Sequence, residues 1–152
     1  MSRISWIAFL VLNSFCAAQV LTIRVVDTRT GHALPKEQVS VSLLYAKGEA
    51  VPPKYDAIIH LETDSNGDVR VSLPEPVPIH IAVQVTLTSE HWRCGCGVLA
   101  TTQDVIQSGI VGPQPGSRPK DRIAPTKSPG VILILARPLT FWERLLYPLV
   151  KQ

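Results

Sequence analysis

The sequence lacks the motifs that announce an activity. No Ser-His-Asp arrangement, glycine-rich phosphate loop or paired catalytic carboxylates can be found in it, which excludes the usual signatures of triad hydrolases and phosphate-loop proteins. There are 4 histidines, His32, His60, His80 and His91, and no two have metal-ligand spacing on one element. The 3 cysteines are Cys16, Cys94 and Cys96, too few and too close for a standard four-ligand structural zinc site. Charge is balanced, with 15 Lys plus Arg against 12 Asp plus Glu. The basic residues are scattered except at Arg118-Pro119-Lys120-Asp121-Arg122, so there is no nucleic-acid stripe. The longest apolar run near the start, Trp6 to Leu12, falls well short of the ~20 residues that span a bilayer.

That short run sits in a different pattern. Arg3 precedes it, and Cys16-Ala17-Ala18 puts small residues at the −3 and −1 positions of a cut before Gln19. Residues 1–18 are therefore expected to be a signal peptide, cleaved near Ala18, with the mature chain periplasmic or secreted. An uncleaved anchor is the competing reading. Asn13-Ser14-Phe15 before Cys16 argues against lipid modification of that cysteine.

What the sequence has in abundance is alternation. Leu21, Ile23 and Val25 share one face of Val20–Asp27, opposite Thr22, Arg24 and Val26. Val39, Val41, Leu43 and Tyr45 oppose Ser40 and Ser42. Ile59, Leu61 and Thr63 oppose His60 and Glu62, and Val69, Val71 and Leu73 oppose Arg70 and Ser72. Ile79, Ile81, Val83, Val85 and Leu87 oppose His80, Gln84 and Thr86. Period two in β-branched residues predicts strands with one buried face, and Gly- and Pro-containing turns separate the runs. The expectation is a mainly β, antiparallel sandwich over residues 19–137.

Leu21-Thr22-Ile23-Arg24-Val25-Val26-Asp27, the Thr30-Gly31 turn, Val39 to Leu43, and Thr63-Asp64-Ser65-Asn66-Gly67 together resemble the carboxypeptidase regulatory-like domain. The resemblance covers about Val20 to Leu87. It implies a transthyretin-like (prealbumin-like, Ig-like) β-sandwich and a non-enzymatic binding or accessory role, with protein or carbohydrate surfaces as ligand classes. The shared motifs are structural: Thr63, Asp64, Asn66 and Gly67 form a turn in which side chains bond to backbone and glycine takes positive φ. The transthyretin-related hydroxyisourate hydrolases resemble the same opening strand. Their histidine position is occupied here by Arg24, their arginine position falls at or near Asp68, and the C-terminus lacks their Tyr-Arg-Gly-Ser. No acid–base group stands where that chemistry needs one.

Two segments have other readings. Asp64, Asn66 and Asp68 are spaced like alternate calcium ligands, but Gly67 is misplaced and the distant glutamate is missing, which favours a plain hairpin turn. His91, Cys94 and Cys96 leave three states open: a tight Cys94–Cys96 bridge, free or intermolecularly bridged thiols, or a metal or redox site. No cofactor is expected.

Further on, residues 101–109 read as a short helix with a threonine cap, Asp104 in the first turn and Gly109 at the end. Residues 112–130 form a long loop rich in Pro, Gly and Ser, and Val131 to Ala136, apolar on both faces, is expected to be a final strand inside a sheet. In residues 138–152, Thr140 and Glu143 make a capping box, with Phe141, Trp142, Leu145, Leu146 and Leu149 near helical spacing. This predicts a C-terminal amphipathic helix that packs on the domain, meets a partner protein, or lies on a membrane surface.

Overall fold

The computed structural model describes residues 19–45, 58–88, 92–94, 97–113 and 125–141. Residues 1–18, expected to be a signal peptide, together with His91, Cys96 and the tail beyond Phe141, lie outside the described residues, and for 92–94 only the backbone is described. The chain is mainly β: β1 (Val20–Asp27), β2 (Gln38–Leu44), β3 (Ile59–Glu62), β4 (Asp68–Ser72), β5 (His80–Thr86), β6 (Trp92–Cys94), β7 (Val98–Thr101), α1 (Thr102–Ser108), β8 (Ile110–Val111) and β9 (Val131–Pro138).

The strands form two sheets. The first has the order β4-β1-β9-β6, and β8 also pairs with β9; the second has the order β3-β2-β5-β7. One core cluster joins them: Leu21, Ile23 and Val25 of β1, Val69 and Val71 of β4, and Ile132 and Ile134 of β9 meet Val39, Val41, Ile81, Val83 and Val85 of the second sheet. These are the alternate positions of each strand, so one face of each sheet is removed from water, as in a β-sandwich. Val105 of α1, fully buried, joins the same cluster.

Both elements of the second half form as the pattern predicts. Thr101 caps α1 by accepting from the Asp104 N–H, and Gly109 closes it with its N–H on the Val105 carbonyl. β9 sits between β1 and β6, and adjacent residues on its two faces, Ile134 and Leu135, are both buried, in keeping with a strand apolar on both faces. Gly112 N–H donates to the Leu133 carbonyl and Gly130 N–H to the Val105 carbonyl, so both ends of the connection before β9 are fastened to the domain.

Three expectations need correction. First, the sheets are antiparallel-rich but not wholly antiparallel: β1 and β9 run parallel from Thr22↔Val131 to Asp27↔Ala136, and β8 is parallel to β9. Alternation reports which face is buried and carries no strand direction; the long excursion before β9 is what permits a parallel neighbour. Second, Thr63–Gly67 is no hairpin. β3 belongs to the second sheet and β4 to the first, so the turn is a corner that carries the chain from one sheet to the other. Third, Ile79 is 44% exposed; β5 begins one residue later and Pro78 is buried instead. His60 and His80, both on polar faces of their strands, are kept apart by β2, with Ser40 opposite His60 and Leu44 opposite His80.

Candidate functional site

The outward face of the second sheet carries a groove. Register sets it. Ser42 of β2 is opposite Ala82 of β5, which is opposite Leu99 of β7; one row along, Ser40 is opposite Gln84 on one side and His60 on the other. The floor of these two rows is therefore small or polar. At its margins stand two large apolar side chains left in water, Ile58 (54% exposed) and Leu99 (68% exposed). The result is an open groove of ≈ 330 Å³ across the strands. The inward neighbours of the same residues, Val41 and Val83, are core, so the groove floor is backed by close-packed side chains.

Ser40 Oγ lies 3.0 Å from His60 Nδ1. That distance suits a nucleophile and its base, but the surroundings do not suit acyl transfer. Ser40 is mid-strand between two paired neighbours, so the local backbone is committed to the sheet and leaves no oxyanion cradle. Among the described residues no carboxylate bonds to His60. The pair is a cross-strand hydrogen bond on an exposed face. Sequence reading left His60 as a solvent-facing histidine; a cross-strand partner is invisible until the register is known.

The Thr63–Gly67 corner is built for structure. Thr63 is buried; its Oγ1 accepts from the Glu37 N–H at 2.9 Å and donates to the Leu34 carbonyl at 2.8 Å. Asp64 Oδ1 accepts from the Asn66 N–H at 2.8 Å and the Asp68 N–H at 3.0 Å. These bonds, that from Asp68 first and that from Asn66 next, hold the Asp64 carboxyl below its ordinary pKa. Both Asp68 oxygens are taken by Arg24, at 2.6 and 2.8 Å, and this bond raises the arginine's pKa further. Asp64 Oδ1 and both Asp68 oxygens are thus committed to backbone N–H groups and a guanidinium.

The Asp27-to-Gly31 motif is likewise structural. Asp27 is buried at the end of β1, accepting from the Arg29 N–H at 2.9 Å and the Thr30 hydroxyl at 2.7 Å, while the Gly31 N–H returns to the Asp27 carbonyl. The residues of this turn therefore bond to one another.

Of the Cys-x-Cys segment, Cys94 is placed in β6 opposite Ala136 of β9; His91 and Cys96 fall outside the described residues. Of the tail candidates, Phe141 is 72% exposed, and Trp142, Leu145, Leu146 and Leu149 fall outside them. Among the described residues no group of three His, Cys, Asp or Glu could hold a metal ion, and no helix is long and apolar enough to cross a membrane.

No family model matches this chain, and comparison with curated proteins and with solved structures likewise finds no match.

Proposed function

We propose that this chain is an exported, non-enzymatic binding or accessory module on a transthyretin-like sandwich of the carboxypeptidase regulatory type, with the groove on the second sheet as its ligand surface. One observation carries this reading. A sheet face whose floor is Ser40, Ser42, Ala82 and Gln84, with Ile58 and Leu99 exposed at its margins, offers polar contacts below and apolar contacts beside an extended ligand. Its ligand class is an extended polymer, a peptide strand or a glycan chain on a protein or cell surface.

Export rests on the residue pattern before Gln19. For the amphipathic tail expected from the sequence we favour packing on the domain over a partner or membrane contact, with support from one detail of the first sheet: Val26 and Leu135, paired in register on the face opposite the core, are only 6% and 1% exposed. A covered outer face at the point where the chain leaves β9 suits a tail folded back on it.

The test is a screen of the mature protein against glycan and extended-peptide arrays, repeated with Leu99→Asp. Leu99 is largely in water, so the variant keeps the fold. The expected result is a ligand whose affinity drops at least about tenfold in the variant, as removal of an apolar interface contact does. A ligand bound equally by both proteins overturns the groove assignment.

A further inference from the structure

We infer that the outer edge of β7 is a docking edge for an extended peptide segment of another protein, which adds to the second sheet as one more strand. A peptide is one of the ligand classes proposed for the groove, and the edge rests on that reading in taking Leu99 as a ligand contact. Among the described residues β7 ends the second sheet, whose order is β3-β2-β5-β7. Its four residues, Val98–Thr101, pair antiparallel with β5 from Val83↔Val98 to His80↔Thr101. One bond fixes where each backbone group points. The Thr102 N–H donates to the Ile79 carbonyl at 2.8 Å, one step beyond the His80↔Thr101 pair. Antiparallel ladders alternate hydrogen-bonded with non-hydrogen-bonded pairs, so Val98 and Ala100 turn their N–H and C=O groups toward β5, while Leu99 and Thr101 turn theirs away. The Leu99 N–H, the Leu99 carbonyl and the Thr101 N–H therefore lie along the outer edge, and no described strand pairs with them.

A second, independent observation is what this edge lacks. Exposed strand edges recruit other strands, and proteins guard them with charges, prolines or bulges. The other three strands that end the two sheets carry ionisable residues: Asp68 and Arg70 in β4, His60 and Glu62 in β3, Arg93 in β6. β7 is Val-Leu-Ala-Thr and has none. It presents Leu99 instead, 68% exposed and in line with Ala82 and Ser42 of the groove floor.

The edge specifies the chemistry of its occupant. It asks for a carbonyl on the Leu99 N–H, an N–H on the Leu99 carbonyl, and a second carbonyl two residues along for Thr101. A β-strand repeats donor and acceptor at that interval, and a sugar chain does not. In antiparallel addition the peptide residue opposite Leu99 exchanges both bonds with it, and its side chain stands beside Leu99 on the groove side, where an apolar or β-branched group fits. A second folded copy of this chain is a poorer occupant. Four residues at about 3.4 Å each pair over about 14 Å, a small part of the ~800 Å² per partner that a stable interface buries.

The experiment selects a display library of random linear seven-residue peptides on the full mature chain and resynthesises the binders. The expected result is binders that slow hydrogen exchange at the Leu99 and Thr101 amides and lose at least about tenfold in affinity when N-methylated at the residue that pairs with Leu99. Leu99→Pro removes an N–H that faces away from β5, a position where an edge strand tolerates proline. It should fold, yet bind at least about tenfold more weakly than Leu99→Ala, which loses the side chain and keeps the N–H. If Leu99→Pro does not fold, the N-methylated peptides on the unaltered protein decide alone. Ser42→Arg, two strands away on β2, fills the groove floor and leaves the edge intact. Binding lost on N-methylation but kept in Ser42→Arg upholds the edge and removes the groove floor from the ligand site. Binding kept on N-methylation but lost in Ser42→Arg upholds the groove and overturns the edge, and loss in both upholds the two together. A selection that yields no binder overturns the proposal. So does a mature chain that sediments as a dimer and becomes a monomer on Leu99→Pro, because a second copy then fills the edge.

Discussion

Replacing Gly67 with alanine tests whether the corner between the sheets is as tightly built as its geometry indicates. Gly67 has φ +71°, and a Cβ there would lie 2.7 Å from the Val25 carbonyl oxygen and 3.0 Å from both Ala33 Cβ and Leu34 N. The crowding has a structural origin. β1 is paired with β4 as far as Arg24↔Asp68, and then with the returning segment through the Val26↔Ala33 bridge. Gly67 occupies the junction between those two partners, and its carbonyl accepts from the Val25 N–H at 2.9 Å. Left-handed backbone costs alanine about 1 kcal/mol relative to glycine. Relieving the overlap requires moving backbone in a strand whose Val25 side chain is fully buried, and overpacking of this kind adds about 1–3 kcal/mol. The total is ~3 kcal/mol. Gly130→Ala is the matched control: its φ is +73°, but the nearest atom to the added Cβ is 4.0 Å away, so only the conformational ~1 kcal/mol applies. Because both substitutions are glycine to alanine, unfolded-state effects cancel in the difference. In urea, with a slope of about 2 kcal/mol per M, the midpoints should fall by about 1.5 M and 0.5 M respectively. Equal losses at the two positions would refute the close approach at Gly67.

Two further predictions concern the same corner. Thr63→Val keeps the shape and removes the hydroxyl, leaving the buried Glu37 N–H and Leu34 carbonyl without it; urea unfolding should show a loss of about 2–4 kcal/mol, and a loss under 1 kcal/mol would mean those groups find other partners. Asp64, whose folded pKa is depressed, contributes stability that is complete above the ordinary carboxylate pKa and is lost as pH falls through its folded value. Carboxyl NMR titration should therefore find Asp64 titrating below ordinary aspartates, with a matching fall in thermal midpoint that Asp64→Asn lacks; a normal or raised Asp64 value sinks the turn assignment.

Much of the core was legible in the sequence because its signal is local. Leu21, Ile23 and Val25, and likewise Val39, Val41 and Leu43, sit at alternate positions, and each set is buried as the period predicts. α1 was legible for a similar reason, since Thr101, Asp104 and Gly109 mark its ends within one short stretch. Connectivity was not legible. Nothing in Val131 to Ala136 says that it will lie parallel to β1, and nothing in Thr63 to Gly67 separates a corner from a hairpin, because both turns need the same side-chain-to-backbone bonds. Ile79 shows the limit of alternation itself: it has the parity of Ile81, but the sheet has not yet begun where it stands.

The candidate sites were hidden for a different reason. Ser40, Ser42, Ala82 and Gln84 belong to the strand positions that alternation marks as facing solvent, and there the pattern places no demand beyond polarity or small size. A groove exists only because register aligns Ser42 with Ala82 and Ala82 with Leu99 across three strands. This separation has a physical consequence. Most residues that fix the fold face inward and most that line the groove face outward, with Val83 and Val98 the members of the core that also reach its lining. The outward set can therefore change its ligand with little cost to the core, so that motifs specifying the sandwich, such as Asp27 to Gly31 and Thr63 to Gly67, carry little information about what is bound.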